Sequence, residues 1–500
     1  MTSASAASDD VTAPVPPRKW YDMTSAEFYV YVAAFMCGVS MLMPVNSVFS
    51  APSYMLEFYL YATKDPHHVP QMTNFWSNVL TYFNLISMVT CLVMEPLTLV
   101  KAFRRIPMRV RLLGGLCILI VEIIVLMAVP ARGTTEAGAV ATICIAGFIG
   151  GLGTSMLEST VYGMFSAFPP SFRSIMMSGV GMSGVITSLI QIIVKAALPN
   201  TYEGVKTQSY IYYGLDVGIL ATTLVAVAML RFNSFAQLHF GDLGGGKSKV
   251  DAGKLVGEGD ELRETGATPA EADRFSAPSA DQMEEKAATV HKDDPTAEPE
   301  QLDGEDGEEE GESGDGDVAG PTSNEILRAT AVFATLRRVK WMFIACCFNY
   351  LISLFLFPNI SSSVFPQSKW FATISVFIYN CCDVLGRLSS ALRFMWPGSY
   401  KKRWVIVAVS FARVIFVPLL LLHSYHYIPS EAFGFVMMVL FGFSSGYVAS
   451  MALVLGPQSQ GIDNDGKRFV AGTLMGISIL VGGTLGMVLS IMTQTVREKY

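Results

Sequence analysis

The run Tyr379-Asn380-Cys381-Cys382-Asp383-Val384-Leu385-Gly386-Arg387 places an acid and a base four residues apart in a stretch apolar enough to cross a bilayer. On a helix that spacing puts Asp383 and Arg387 on one face, a turn apart. Ionised groups at membrane depth cost several kcal/mol unless they are paired or face water. Such groups are kept mainly where something polar must pass. The expected chemistry is recognition of a polar solute by an acceptor and a donor fork on the wall of a pathway. The alternative is a structural ion pair that locks two helices together.

The rest of the chain supplies the membrane elements that would position this pair. Hydrophobic residues make up 51% and charged residues only 15%, and the mean hydropathy is +0.41. A soluble domain carries about 25% charged residues. Eleven apolar windows, near 27–50, 76–100, 112–130, 138–166, 174–197, 208–231, 339–358, 370–395, 404–424, 432–455 and 469–494, are each long enough for ~30 Å of hydrocarbon. Separating the fourth from the fifth depends on Phe168-Pro169-Pro170-Ser171 acting as a break.

The net charge of −7 belongs to one loop: residues 242–317 hold 24 of the 42 acids and 7 of the 35 Lys and Arg residues. Basic residues cluster in alternate short connections: Lys101, Arg104, Arg105, Arg109 and Arg111; Arg337, Arg338 and Lys340; Lys401, Lys402 and Arg403; Lys467 and Arg468. The positive-inside rule makes that side cytoplasmic. The expected organisation is a cytoplasmic tail (1–24), a six-helix bundle (25–231), an acidic, largely disordered cytoplasmic loop (232–338), a five-helix bundle (339–495) and an extracellular tail (496–500). The start lacks the basic and apolar regions of a cleaved signal peptide, so the first span is expected to act as a signal anchor. All eight cysteines fall in spans, which implies neither a disulfide framework nor a zinc site.

Several motifs, in order along the chain, resemble the equilibrative nucleoside transporters, and protozoan, kinetoplastid-type purine transporters in particular. The most specific is Asn380…Asp383-x-x-Gly386-Arg387. Others are Met41-Leu42-Met43-Pro44-Val45-Asn46, Ser178-Gly179-Val180-Gly181-Met182-Ser183-Gly184, Leu356-Phe357-Pro358, Ala412-Arg413 through Pro418-Leu419, Phe443 through Ser450 with Gly456-Pro457, and Ala471-Gly472. The resemblance implies an all-α polytopic membrane protein, about 11 transmembrane helices in a 6+5 two-bundle arrangement resembling major-facilitator-type carriers. It implies transport of purine nucleosides or nucleobases, either by facilitated diffusion or by proton symport as in several protozoan members, and a plasma-membrane location. Glu158 stands where many members carry a Gln implicated in contacting the nucleoside base. A carboxyl there is a candidate for substrate contact or proton coupling, or a partner for Arg387 or Arg413. Glu122 and Asp216 are weaker candidates. Val45 replaces the usual Trp.

The same residues have physical readings of their own. Gly179, Gly181, Gly184 and Gly386 permit close helix packing. Pro44 can kink the first span, leaving Asn46 to line a cavity or tie helices together. Arg413 could neutralise an acid or snorkel. Phe49 and Trp76, the latter opening the second span, could close the outer route together, although Trp at that level is more often a headgroup anchor. Asn380 joins Asp383, Arg387, Glu158, Asn46 and Phe49 as an expected substrate contact; Trp76, Glu158 and Arg413 are the expected gating or coupling residues. The pair His67-His68 is assigned no role. No metal cluster, phosphate loop or nucleophile motif is present, so neither an enzyme nor a cofactor is expected. The expected partners are a small purine, protons and the lipid bilayer, not a nucleic acid polymer, and nothing in the sequence sets an oligomeric state. A non-transporting receptor or channel is the alternative class.

Overall fold

The computed structural model describes residues 23–239 and 332–499, apart from 101–102, 104–105, 200, 358–359, 361–367, 369, 393–394, 396–402 and 463. Most of the tail at 1–24 and of the acidic loop lies outside the described residues.

Among the described residues, eleven helices are long and apolar enough to span a membrane. We number them α1 (Ser25–Ser50), α2 (Val79–Leu97), α3 (Met108–Arg132), α4 (Glu136–Ala167), α5 (Pro170–Ala197), α6 (Tyr202–Met229), α7 (Val332–Leu356), α8 (Phe371–Leu388), α9 (Trp404–Ser424), α10 (Glu431–Leu455) and α11 (Asp465–Lys499). Their ends follow local chemistry. Thr24 and Glu27 form a capping box at the start of α1. The side chains of Thr135, Thr201 and Ser430 accept a backbone N–H at the starts of α4, α6 and α10. Pro169-Pro170 separates α4 from α5, with Pro170 in the first turn of α5 where its missing N–H costs nothing. Gly133, at φ +89°, turns the chain out of α3.

Three of the differences between helix ends and apolar windows have a physical reading. α7 begins at Val332, before the window at 339, because the helix extends past hydrocarbon into basic sequence. α8 ends at Leu388, short of 395, in a 3₁₀ turn at Ser389–Ala391. Trp76 does not open α2: it sits in a separate short helix, Thr73–Ser77. Within α9 a 3₁₀ turn at Arg413–Ile415 precedes Pro418, whose missing N–H loosens the helix there.

Packing repeats with an offset of six. α1 packs on α5 and α2 on α4; likewise α7 packs on α11 and α8 on α10. The halves meet where α5 lies against α8 and α11 lies against α2 and α4. This is the layout of carriers in which one bundle rocks against the other around a central site.

Candidate functional site

The centre of the site is a turn of α8. Arg387 Nε donates to Asp383 Oδ2 at 2.6 Å, and the two residues are only 5% and 6% exposed. The Tyr350 hydroxyl of α7 also lies within hydrogen-bond reach of the guanidinium. Both ions belong to one helix, so the pair does not by itself lock two helices together. Asp383 Oδ1 and Arg387 Nη1 remain without a hydrogen-bond partner among the described residues. The pair thus keeps one acceptor and one donor uncommitted.

α5 makes room for these side chains. A Cβ on Gly181 would lie 2.9 Å from Arg387 Cδ, and one on Gly184 would lie 2.9 Å from Asn380 Oδ1. Asn380 Nδ2 donates to Gly184 O at 3.1 Å and Ser188 Oγ at 2.6 Å, joining α8 to α5 across the interface between the halves. Gly179 approaches the backbone of Phe35 on α1, and Gly386 approaches that of Phe443 on α10. α1 runs through Pro44 as one helix, and Asn46 Nδ2 donates to Ser183 Oγ at 2.8 Å, so Asn46 ties α1 to α5.

Arg413 is 2% exposed, which is not the position of a snorkelling arginine. It pairs with no acid among the described residues. Its guanidinium donates to Asn349 O at 2.9 Å, to Asn349 Oδ1 and to Ser444 Oγ at 3.2 Å, and it lies over the Phe441 ring. These bonds join α7, α9 and α10 within the second half.

Glu158 pairs with neither arginine, because Arg387 is engaged by Asp383 and Arg413 by carbonyl oxygens. It is 4% exposed, and Glu95 of α2 lies near enough to interact with it. Both Glu95 oxygens and Glu158 Oε2 lack hydrogen-bond partners among the described residues. Glu95 abuts Gly476 of α11, so these acids sit where the halves meet. Glu122 and Asp216 form a second acid pair, between α3 and α6, and are 1% and 0% exposed. Sequence reasoning missed Glu95, which stands beside Pro96 at the end of its window and reads as a boundary residue. It also missed Arg173, just past the Pro-Pro break. Arg173 donates to Ser166 O at 2.6 Å and reaches across to Val454 O at 2.8 Å at the end of α10. The Pro-Pro-x-x-Arg spacing was the available signal.

At the opposite end of the bundle, Trp76 is 2% exposed, which is not a headgroup anchor. Its ring neighbours are Phe58, Tyr59 and Phe75. Phe49, half-buried on α1, is not among them. Trp76 Nε1 donates to Glu136 at 3.0 Å, and the same carboxylate accepts from the backbone N–H groups of Gln71 and Met72. His68 Nε2 lies 3.3 Å from it, so one member of the His pair has a structural partner. No group of His, Cys, Asp and Glu among the described residues could hold a metal ion.

The model of the nucleoside transporter family matches residues 141–495, spanning the α5–α8 and α4–α11 contacts that build this centre. The chain belongs to this family. It is 75% identical over 487 residues to adenosine transporter 1 of Crithidia fasciculata, covering 97% of each chain. It is 69% identical over 488 residues to nucleoside transporter 1.1 of Leishmania donovani, again covering 97% of each. The fold is similar to that of a major-facilitator proton:xylose symporter, with a TM-score of 0.57 at 10% identity, covering 94% of this chain and 89% of that one. The chain is a kinetoplastid-type, multi-pass member of the nucleoside transporter family with a major-facilitator-like fold, and its homologues are transporters, not enzymes.

Proposed function

We propose that this nucleoside transporter carries purine nucleosides or nucleobases across the plasma membrane by alternating access, with Glu158 coupling the cycle to protons. The observation that carries the substrate reading is the uncommitted acceptor and donor of the Asp383–Arg387 pair at the interface between the halves. A purine with ribose hydroxyls presents donors and acceptors of matching kind. Similarity to an adenosine transporter supports the purine class. The substrate contacts are Asp383, Arg387, Asn380, Asn46, Glu158 and Phe49; Trp76 closes the outer route and Arg413 stabilises the second half as it moves.

Proton coupling rests on Glu158 and Glu95. Two adjacent buried carboxyls cannot both carry charge cheaply without a cation, so a proton from the more acidic side neutralises the site before the halves reorient. The basic connections set the sidedness: the amino terminus and the 232–338 loop inside, the carboxyl terminus outside.

The test is uptake of labelled adenosine, inosine, guanosine, hypoxanthine and uridine by transporter-null cells expressing this chain, at several external pH values. Saturable purine uptake that rises as the medium is acidified supports the reading. Uptake of uridine alone overturns the purine assignment, and purine uptake that does not respond to pH overturns the coupling.

A further inference from the structure

We propose that the basic cavity at the start of α7 is a binding site for the phosphate headgroup of an anionic phospholipid. The cavity, of about 550 Å³, is lined by Arg337, Arg338 and Lys340 of α7, by Arg403 and Trp404 at the start of α9, and by the turn after α10 at Ser459 and Gln460. No acid lines it. Arg337, Arg338 and Lys340 are exposed and make no ion pair among the described residues, so three cations face one space uncompensated. The turn leaves room for the bases: Gly461 takes φ +81°, and a Cβ there would lie 3.3 Å from Arg338 Nε.

The aromatic residues identify the occupant as a lipid. Trp341 and Trp404 lie with ring centroids 4.7 Å apart and are 45% and 55% exposed. Paired Trp rings on the outer wall of a membrane bundle mark the headgroup level. Ile344 and Val405 add exposed apolar surface on the same two helices, suited to acyl chains. Arginine forks bind phosphate oxygens bidentately, and Lys340, held over the Trp341 ring, adds a point charge. Basic pockets between membrane helices recognise anionic headgroups in this way.

Arg403 is already committed. It donates to Leu455 O at 3.2 Å and Gln458 O at 2.8 Å, holding the end of α10. A headgroup bound beside it would therefore brace α7 and α9 against the α10 turn. The assignment rests on the charge of the cavity and the Trp341–Trp404 pair beside it, not on which face is cytoplasmic or on which solute is carried.

The test uses the full chain in phosphatidylcholine nanodiscs with and without phosphatidylserine, read by native mass spectrometry for retained lipid and by thermal unfolding. Wild type is expected to retain phosphatidylserine and to unfold at a higher temperature with it. At roughly fivefold per base, the Arg337→Gln/Arg338→Gln/Lys340→Gln variant should retain it about a hundredfold more weakly while unfolding as wild type does in pure phosphatidylcholine. Lys206→Gln, at a half-buried lysine on α6 that pairs with Glu203 away from this cavity, should change nothing. If the triple variant is unstable in phosphatidylcholine, Arg337→Gln and Lys340→Gln carry the test singly, each with an about fivefold loss. Equal behaviour of wild type in both nanodiscs overturns the proposal. So does stabilisation by inorganic phosphate or glycerol phosphate that matches the lipid, which makes the site one for soluble anions.

Discussion

The two halves of the bundle differ in how they bury acids inside their spans. In the second half the ions are answered: Arg387 meets Asp383 at 2.6 Å, and Arg413 is surrounded by Asn349, Ser444 and the Phe441 ring. In the first half Glu95, Glu122, Glu158 and Asp216 are all at most 4% exposed, and none pairs with a cation among the described residues. A paired ion can stay ionised in a bilayer, whereas an unpaired carboxyl is tolerated chiefly as the neutral acid. On the proposed function, the fixed charges of the second half serve recognition and the unpaired carboxyls of the first half serve proton coupling. Division of labour between the halves follows from this difference.

The sharpest break of that comparison is to replace a buried ionisable group in each half. Arg387→Ala leaves Asp383 buried and alone, a cost of ~3–5 kcal/mol, and uptake should fall by at least a hundredfold. Surface biotinylation separates lost transport from lost protein. Glu122→Gln and Asp216→Asn keep shape and neutrality, and should leave surface abundance near wild type. If these amides are as damaging as Arg387→Ala, the first half is not holding neutral acids.

Arg413 and Arg387 distinguish two fates of a buried arginine. Arg413→Leu leaves the Asn349 carbonyl without its donor, at about 1–3 kcal/mol, and should lower surface abundance severalfold. Uptake per surface molecule should stay within about threefold, because no Arg413 donor is committed to substrate. A collapse of per-molecule uptake at normal abundance would move Arg413 into the transport pathway.

Smaller effects come from the coupling carboxyl and the loop. Glu158→Gln should flatten the rise of uptake with external acidity between about pH 7.5 and 6.5, while uptake persists, because the amide keeps hydrogen-bonding capacity. Full proton-dependent current in oocytes expressing this variant would shift the coupling role to Glu95 or Asp383. Replacing residues 245–320 with a short Gly/Ser linker should leave the apparent KM unchanged, since that composition has too little apolar content to join the membrane core. A large rise in KM at equal surface expression would show that the loop reaches the pathway.

The sequence displays much of this plan because hydrocarbon imposes its own pattern. All eleven spans stand out as apolar windows, and the Asp383–Arg387 pair stands out because its spacing is set within one helix. What the sequence hides is tertiary. Hydropathy measures hydrocarbon and not hydrogen bonding, so α7 starts earlier and α8 stops sooner than their windows. Glu95 passes for a helix end until α4 and α11 bring Glu158 and Gly476 to it. Glu136 passes for an exposed loop acid until the 65–78 connection folds over it and places Trp76 Nε1 and two backbone N–H groups on one carboxylate. For the same reason neither reading of Trp76, packing on Phe49 or anchoring at the headgroups, describes its surroundings: the short helix at Thr73–Ser77 turns that indole toward Phe58 and Tyr59.

The central claim is that the uncommitted atoms of Asp383 and Arg387 hold the substrate. It is tested most directly by adenosine binding to the purified protein, comparing wild type with Asp383→Asn at matched thermal stability. The amide keeps the shape of the carboxylate but removes its charge and one of its acceptor sites. The account predicts that adenosine raises the unfolding temperature of wild type and that Asp383→Asn loses at least about tenfold in affinity, as expected for a hydrogen bond to a charged group. Unchanged adenosine affinity in a well-folded Asp383→Asn protein would contradict it.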